Sequence, residues 1–419
     1  MNDVSLAMTS EPWPARYNMM ALLLVALLLC YVDRTIISLA VIDMQKEFGW
    51  SNSEKGYVLS IFSAGYIITQ LLGGLMSNRY GGRNVYLFAV FAWSLFTVIT
   101  PAAALISLPA LLATRFMLGV AEGGAYPAAY NLIHHWIPAE ERSTSISLVS
   151  TAAAVGTVGA LLVSGKIIEF FGWQSIFYIF GSMGFFWCTA WALKISPTAP
   201  SPQGAVSGRS ETSFLKSVPW KILITHPAVI TLYVVNFGGQ AITFLMASWL
   251  PSYLVDTFEV STTQAGVYAI LPWLSLAVVT FLAGRYADSC IAAGEASLHL
   301  RKRLMAIGFL LSITSVIGIA HADSLYLALM LVIIVFSGVG ILIPGISTIP
   351  GELLPRHGDV LFGFITASGA IGSIIFVSAT GILLEKTGSY IAIFYALAAC
   401  CTLSMITFHL FSRTEEINY

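Results

Sequence analysis

The chain has 419 residues, of which 57% are hydrophobic and 10% charged, against about 25% charged residues in soluble domains. That composition puts it in the membrane class, and a formal net charge of −1 leaves no basic field for nucleic acid. Its five cysteines (Cys30, Cys188, Cys290, Cys400 and Cys401) fall in apolar stretches without CxxC or zinc spacing, and read as buried thiols rather than a disulfide frame or metal site.

The N-terminal segment MNDVSLAMTSEPWPARYNMM has no basic n-region and no small-residue cleavage site before a short apolar core. The first apolar run is therefore expected to be a retained helix. It holds LLLCYVDRTIISLAV, with Asp33 beside Arg34. Neighbours on a helix do not face each other, so these two charges must look at different surroundings. A membrane helix needs about 20 apolar residues. Twelve such runs are predicted, centred near residues 30, 66, 95, 122, 155, 184, 243, 276, 311, 338, 371 and 399.

The second run carries Tyr66 and ends at Arg79 and Arg83. In the fourth, Arg115 and Glu122 are seven residues apart and share a helix face with Gly119 and Tyr126. Gly119 and Gly123 permit close approach of another helix, and Pro127 is expected to kink the span. His134 and His135 follow beside Trp136 and read as interfacial side chains. After the sixth run, ISPTAPSPQGAVSGRSETSFLKSVPWK reads as a linker. Asn236 and Gln240 lie one turn apart in the seventh run, and Trp273 follows Pro272 in the eighth, which ends near Asp288. Ser368 and Ser373 flank glycines of the eleventh.

Fourteen of the 20 Lys and Arg residues fall on the side of the termini, and four (Lys46, Lys55, Lys166 and Lys386) on the other; Arg34 and Arg115 lie within spans. The bias predicts cytoplasmic termini. The halves also repeat. Gly156, Gly165, Glu169 and Gly172 recur 216 residues later as Gly372, Gly381, Glu385 and Gly388. Pro127 and Pro138 recur 217 residues later as Pro344 and Pro355, and Gly74 with Asn78 recurs 210 residues later as Gly284 with Asp288. Repeats in one orientation are the sequence signature of a two-halved transporter. The predicted division is a cytoplasmic tail (1–17), a six-helix bundle (18–194), a linker (195–225), a second bundle (226–411) and a tail (412–419). The intramembrane charges do not repeat. Thr243, Phe244, Val332 and Val339 stand where the first half has Asp33, Arg34, Arg115 and Glu122. Each such charge costs about 2.5–3.5 kcal/mol to insert, and its absence from the second half favours function over structural glue.

The junction GGLMSNRYGGR resembles the G-x-x-x-D-R-x-G-R signature of the major facilitator superfamily. RFMLGVAEGGAYPAAYNLIHHWIPAEERSTSIS is similar to the R-F-x-x-G-x-x-E … P … W-x-P-x-x-E-R pattern of its anion:cation symporter group. YVDRTIISLA resembles the first-span Tyr-x-Asp-Arg pattern of that group, and NFGGQAITFLMASWLPSYL its seventh span. The resemblance covers nearly the whole chain. It implies an all-α polytopic membrane protein with twelve transmembrane helices in two six-helix halves. It also implies a secondary active transporter, in a group that includes sugar-acid carriers and the sialin and vesicular glutamate transporter branch. One departure is that the loop Asp of the signature is Asn78 here, while the second-half GRYADS keeps Asp288.

Guanidinium groups bind carboxylates in a bidentate fork and keep their charge. Carboxyl groups beside them suit protons, because removal from water favours the neutral acid. The expected function is proton-coupled symport of a small organic anion by alternating access. Asp33 and Glu122 are the expected proton sites, with Glu122 holding Arg115 until it is protonated. Arg34 and Arg115 are the expected anion clamp, with Tyr66, Asn236, Gln240, Trp273, Ser368 and Ser373 around it. Arg79, Arg83 and Asp288 are the expected gate. The expected partners are the anion, protons and the lipid bilayer of a bacterial inner membrane, with the protein a monomer and no cofactor. Phosphate symport suits the same arginines. A proton-coupled exporter is the other alternative, although AAAVGTVGALLVSG lacks the Gly-Pro of the antiporter element. No metal triad, nucleophile elbow or phosphate loop suggests an enzyme.

Overall fold

A computed structural model describes residues 15–195, 218–347, 349–355, 357–413, 415 and 417. The first half contains α1 (Ala15–Phe48), α2 (Asn52–Tyr80), α3 (Gly82–Ile106), α4 (Leu108–Gly123), α5 (Ala125–Trp136), α6 (Ala139–Phe171) and α7 (Trp173–Lys194). The second contains α8 (Trp220–Thr225), α9 (Pro227–Phe258), α10 (Thr262–Tyr268), α11 (Ile270–Ala292), α12 (Ser297–Ile319), α13 (Leu325–Ile346), α14 (Ile349–Leu353), α15 (Gly358–Thr387) and α16 (Ile391–Phe411). Among the described residues, ten helical runs are long and apolar enough to cross a membrane. The 29-residue α2 and the end-to-end pair α4–α5 complete the twelve expected spans, in two sets of six. Most of the predicted linker and the first 14 residues lie outside the described part, as does the side chain of Asn78. Within the predicted linker the chain forms α8, because Leu223 is buried and its carbonyl accepts a hydrogen bond from Tyr233.

Two spans are broken, for one reason. The fourth breaks at Gly124 and the eighth at Ala269, each three residues before a proline, Pro127 and Pro272. A proline has no N–H to offer the carbonyl four residues back, so the ladder opens there. The expected kink at Pro127 is thus a break into two helices.

The packing repeats as the sequence does. Within the first half, α1 packs on α6 and α7, α2 on α4, and α3 on α7. In the second, α9 packs on α15 and α16, α11 on α13, and α12 on α16. The α2–α4 contact is backbone against backbone. A Cβ on Gly119 would collide with the Phe62 carbonyl, and Thr69 Oγ1 donates to the Val120 carbonyl at 2.6 Å across the same seam. Small residues let membrane helices approach this closely. Gly119→Leu should therefore lower the melting temperature of the purified protein, at a cost of roughly 1–3 kcal/mol. Gly74→Leu, where a Cβ meets nothing within 4 Å, is the control. Equal melting of the two variants would show that the seam tolerates a side chain.

The halves meet at the face opposite the termini, again with two-fold pseudosymmetry. Helix α15 packs on α2, and α6 packs on α10 and α11. Glu385 accepts from the Ser53 amide at 3.0 Å, and Glu169 accepts from Thr263 Oγ1 at 2.8 Å. Both receiving helix starts carry a capping box, Ser51 with Glu54 and Ser261 with Gln264. Ser60 pairs with Ser378 at 2.7 Å, and Ser63 with Ser373 at 3.2 Å, deeper along the α2–α15 seam. At the face bearing the termini, no hydrogen bond or ion pair between described residues joins the halves. Among the described residues the halves are thus hydrogen-bonded at one face, here called the closed face, and not at the other, here called the parted face.

Candidate functional site

The charged centre is built by the first half alone. Helix α1 supplies Cys30, Asp33 and Arg34, α2 supplies Phe62 and Tyr66, α4 supplies Arg115 and Glu122, and α5 supplies Tyr126. Arg34 Nε donates to Glu122 Oε2 at 2.6 Å. Cys30 Sγ, one turn before Arg34 on α1, donates to the same oxygen at 3.2 Å. The other carboxylate oxygen, Oε1, is buried without a hydrogen-bond partner. Glu122 is 0% exposed, whereas the Arg34 side chain keeps a 13% exposed edge.

Aromatic rings shape the space around Arg34. Its guanidinium lies 4.5 Å from the Tyr66 ring centre, 5.0 Å from Tyr31 and 5.3 Å from Phe62. Tyr126 donates to Tyr31 Oη at 2.9 Å, which leaves the Tyr31 hydroxyl proton for another acceptor. Arg34 Nη2 has no protein partner. An unused donor of a guanidinium, desolvated by three rings, is a ready receptor for an anion.

Asp33 and Arg115 are deeper, each 2% exposed. Asp33 turns toward Thr97 of α3, inside the bundle. Arg115 lies within electrostatic reach of both Glu122 and Asp33 but closes an ion pair with neither, and its Nε and Nη1 are unpartnered. Its guanidinium is 5.5 Å from the Phe62 ring centre. The partner of Glu122 is thus Arg34 and not Arg115. Seven residues along a helix is about 10 Å of rise, too far for direct pairing, while α1 crosses within reach.

The expected neutral residues of the second half are engaged elsewhere. Asn236 Nδ2 donates to the Ile365 carbonyl at 2.7 Å, and Ser368 Oγ donates to the carbonyls of Ile365 at 2.6 Å and Tyr233 at 3.1 Å. Gln240 packs beside Gly369, and Trp273 sits edge-on to Phe336 with ring centres 5.3 Å apart. Ser373 meets Ser63 at the seam. Among the described residues, none of the five has a hydrogen bond or ring contact to the Arg34–Glu122 pair. Of the expected gate residues, Arg83 donates to the Ile195 carbonyl at 2.8 Å within its own half, Arg79 lies over Tyr80, and Asp288 is exposed. All three lie at the parted face. His134 and His135 are exposed beside Trp136, with ring centres 5.5 Å apart.

Cys30, Tyr31 and Phe62 were not anticipated from the sequence. Cys30 precedes Arg34 by four residues, the spacing that puts two side chains on one helix face. That signal was available, but without a neighbouring helix it could not identify Glu122 as the shared partner.

The sequence profile of the Major Facilitator Superfamily matches residues 23–298. Among similar proteins, probable anion transporter 4, chloroplastic, of Oryza sativa subsp. japonica is 32% identical over 97% of this chain and 71% of its own length. Sodium-dependent phosphate transport protein 1, chloroplastic, of Arabidopsis thaliana is 31% identical over 97% of this chain and 81% of its own length. Among solved structures, a bacterial homologue of the human lysosomal transporter Spinster, in an inward-facing and occupied conformation, superposes with a TM-score of 0.78. It is 19% identical and covers 96% of this chain and 98% of its own, a likeness of fold.

Proposed function

The chain belongs to the Major Facilitator Superfamily and is a membrane transporter, not an enzyme, and from that premise we propose that it carries a small organic anion, a carboxylate such as a sugar acid, together with protons. The observation that carries this reading is the Arg34–Glu122 bond in an aromatic pocket, with the buried Nη2 of the same guanidinium left without a protein partner. Glu122 and a substrate carboxylate compete for one guanidinium. Deprotonated Glu122 holds Arg34; protonated Glu122 releases it to the anion. Binding of the two ligands is thereby linked without contact between them. Asp33 is the second proposed proton site, with Arg115 balancing both acids from behind Phe62.

The 14-to-4 bias of basic residues supports a cytoplasmic assignment for the parted face. The closed face is then the outer one. An anion entering a negative compartment is opposed by about 2.3 kcal/mol per charge per 100 mV. One proton per negative charge cancels that term, and a second makes uptake driven by potential. The halves rock about the occupied site, breaking the Glu169 and Glu385 contacts on one face as Arg79, Arg83 and Asp288 approach on the other.

Purified protein in liposomes should accumulate labelled glucuronate when the external medium is made acidic, and a protonophore should abolish the accumulation. Phosphate is the second reading, since one relative bears the name of a sodium-dependent phosphate transport protein. Phosphate uptake that follows a sodium gradient and ignores pH would replace the first reading with the second.

A further inference from the structure

Lys55 is a buried cation that the mechanism above leaves unused. It lies on α2, just inside the Ser51–Glu54 capping box at the closed face, and is 1% exposed. Its ammonium makes no hydrogen bond and no ion pair with a described residue. It rests 5.2 Å from the centre of the Trp249 ring, which belongs to the other half. Trp249 is pinned by its Nε1 bond to the Val377 carbonyl at 3.0 Å and by an edge contact to Tyr390 with ring centres 6.2 Å apart. Tyr390 in turn lines a vestibule of about 580 Å³ at the closed face, together with Gln45, Asn52, Tyr253 and Asp256. Lys55 therefore sits one ring layer beneath that vestibule. The charges that reach it are Asp256, already bonded to Tyr390 at 2.8 Å, and Lys46.

A ring face returns only part of what an ammonium loses on leaving water. Closure does not require a lysine here. The repeat places Ala265 at the same point of the second capping box, fully buried, with Gly266 after it as Gly56 follows Lys55. The lysine also has a direction. Lys55, Phe62 and Tyr66 are spaced by seven and four residues and share one face of α2. Phe62 and Tyr66 are the rings that hold Arg34. Lys55 thus stands two to three turns from the Arg34 pocket on the same wall, toward the closed face. When the closed face opens, α2 parts from the second half, the ammonium leaves Trp249, and Asp256 withdraws with the other half.

We propose that Lys55 is an encounter site for the substrate carboxylate, exposed only when the closed face opens, from which the anion passes down the α2 wall to Arg34. The inference rests on the reading of the protein as an anion carrier. It accounts for a cation that is buried without an ion-pair partner in this state: the charge belongs to the other state.

Two experiments test it. In Gly381→Trp an indole replaces the space against the Asn52 carbonyl, and in Gly165→Trp the space against Thr263, so either wedge keeps the closed face from shutting. Acetylation of Lys55 by a sulfo-N-hydroxysuccinimide ester, read by mass spectrometry on the full chain in detergent, should be at least tenfold faster in both wedged variants than in the unsubstituted protein. The exposed Lys386 should react equally in all three. Equal Lys55 rates overturn the inference whatever the protein carries. In liposomes, labelled glucuronate and labelled phosphate are each presented to one face at a time. For the anion carried, Lys55→Met should raise KM at the closed face about tenfold with kcat for entry there unchanged, leave the KM at the terminal face unchanged while kcat for exit toward the closed face falls in the same proportion, and Lys55→Arg should restore the original values. An unchanged KM, or an equal rise at both faces, overturns the encounter site and leaves the carrier reading standing. Unsubstituted protein that moves neither anion overturns the carrier reading, and the proposed ligand of Lys55 with it.

Discussion

Glu122→Gln should abolish pH-driven accumulation while preserving exchange of labelled for unlabelled anion across the liposome membrane. Gln matches the shape of the protonated acid and carries no charge, so it cannot compete with a carboxylate for Arg34. Hydrogen bonds to charged groups contribute about 1.5–3 kcal/mol, so removing the competitor should tighten anion binding by roughly tenfold to a hundredfold. In the unsubstituted protein, affinity should fall as pH rises through the titration of Glu122, because deprotonation restores the Arg34–Glu122 bond at 2.6 Å. In the Gln variant that slope should vanish. Continued uphill accumulation in Glu122→Gln, with the pH slope intact, would remove Glu122 from the coupling and shift the burden to Asp33.

Arg34→Ala is expected to have the larger effect on binding itself. Truncating one member of a desolvated charge pair costs about 2–5 kcal/mol, a loss of between thirtyfold and several thousandfold in affinity. The variant should bind no anion in a thermal-shift titration that resolves millimolar ligands. Arg34→Lys should not rescue it, since an ammonium cannot present the planar fork that the Tyr31, Tyr66 and Phe62 rings hold in place. Removing Arg34 also strands Glu122, 0% exposed, with only the Cys30 thiol as donor. Retained affinity in Arg34→Ala would move the clamp to Arg115 and make the Arg34–Glu122 bond a packing feature.

Much of the architecture follows from composition and spacing. Apolar runs of membrane length repeat at offsets of 210, 216 and 217, and such runs have few alternatives to helices, since lipid offers no partner to an open backbone. Prolines at 127 and 272 set the two breaks by withholding one N–H each, although only the first was read as a kink. The placement of Asp33 and Arg34 on different faces is likewise a property of one helix. Arg34 meets Glu122, and Asp33 turns to Thr97.

What the sequence could not decide is which helix stands opposite. Arg115 and Glu122 share a face, yet the carboxylate bonds to α1, because two turns of rise separate the two residues and a crossing helix is nearer. Asn236 and Ser368 look like cavity groups in a string of letters, but the close α9–α15 seam turns both onto backbone carbonyls. Lys55 is the sharpest case. In SNSEKGYV it reads as one more basic residue at a membrane boundary. Only the meeting of the two halves puts Trp249 over it and buries the residue to 1% exposure. Periodicity fixes the direction of a side chain relative to its own helix. The partner, and with it the chemistry, depends on where the other helices cross, and that is a property of the folded pair of halves.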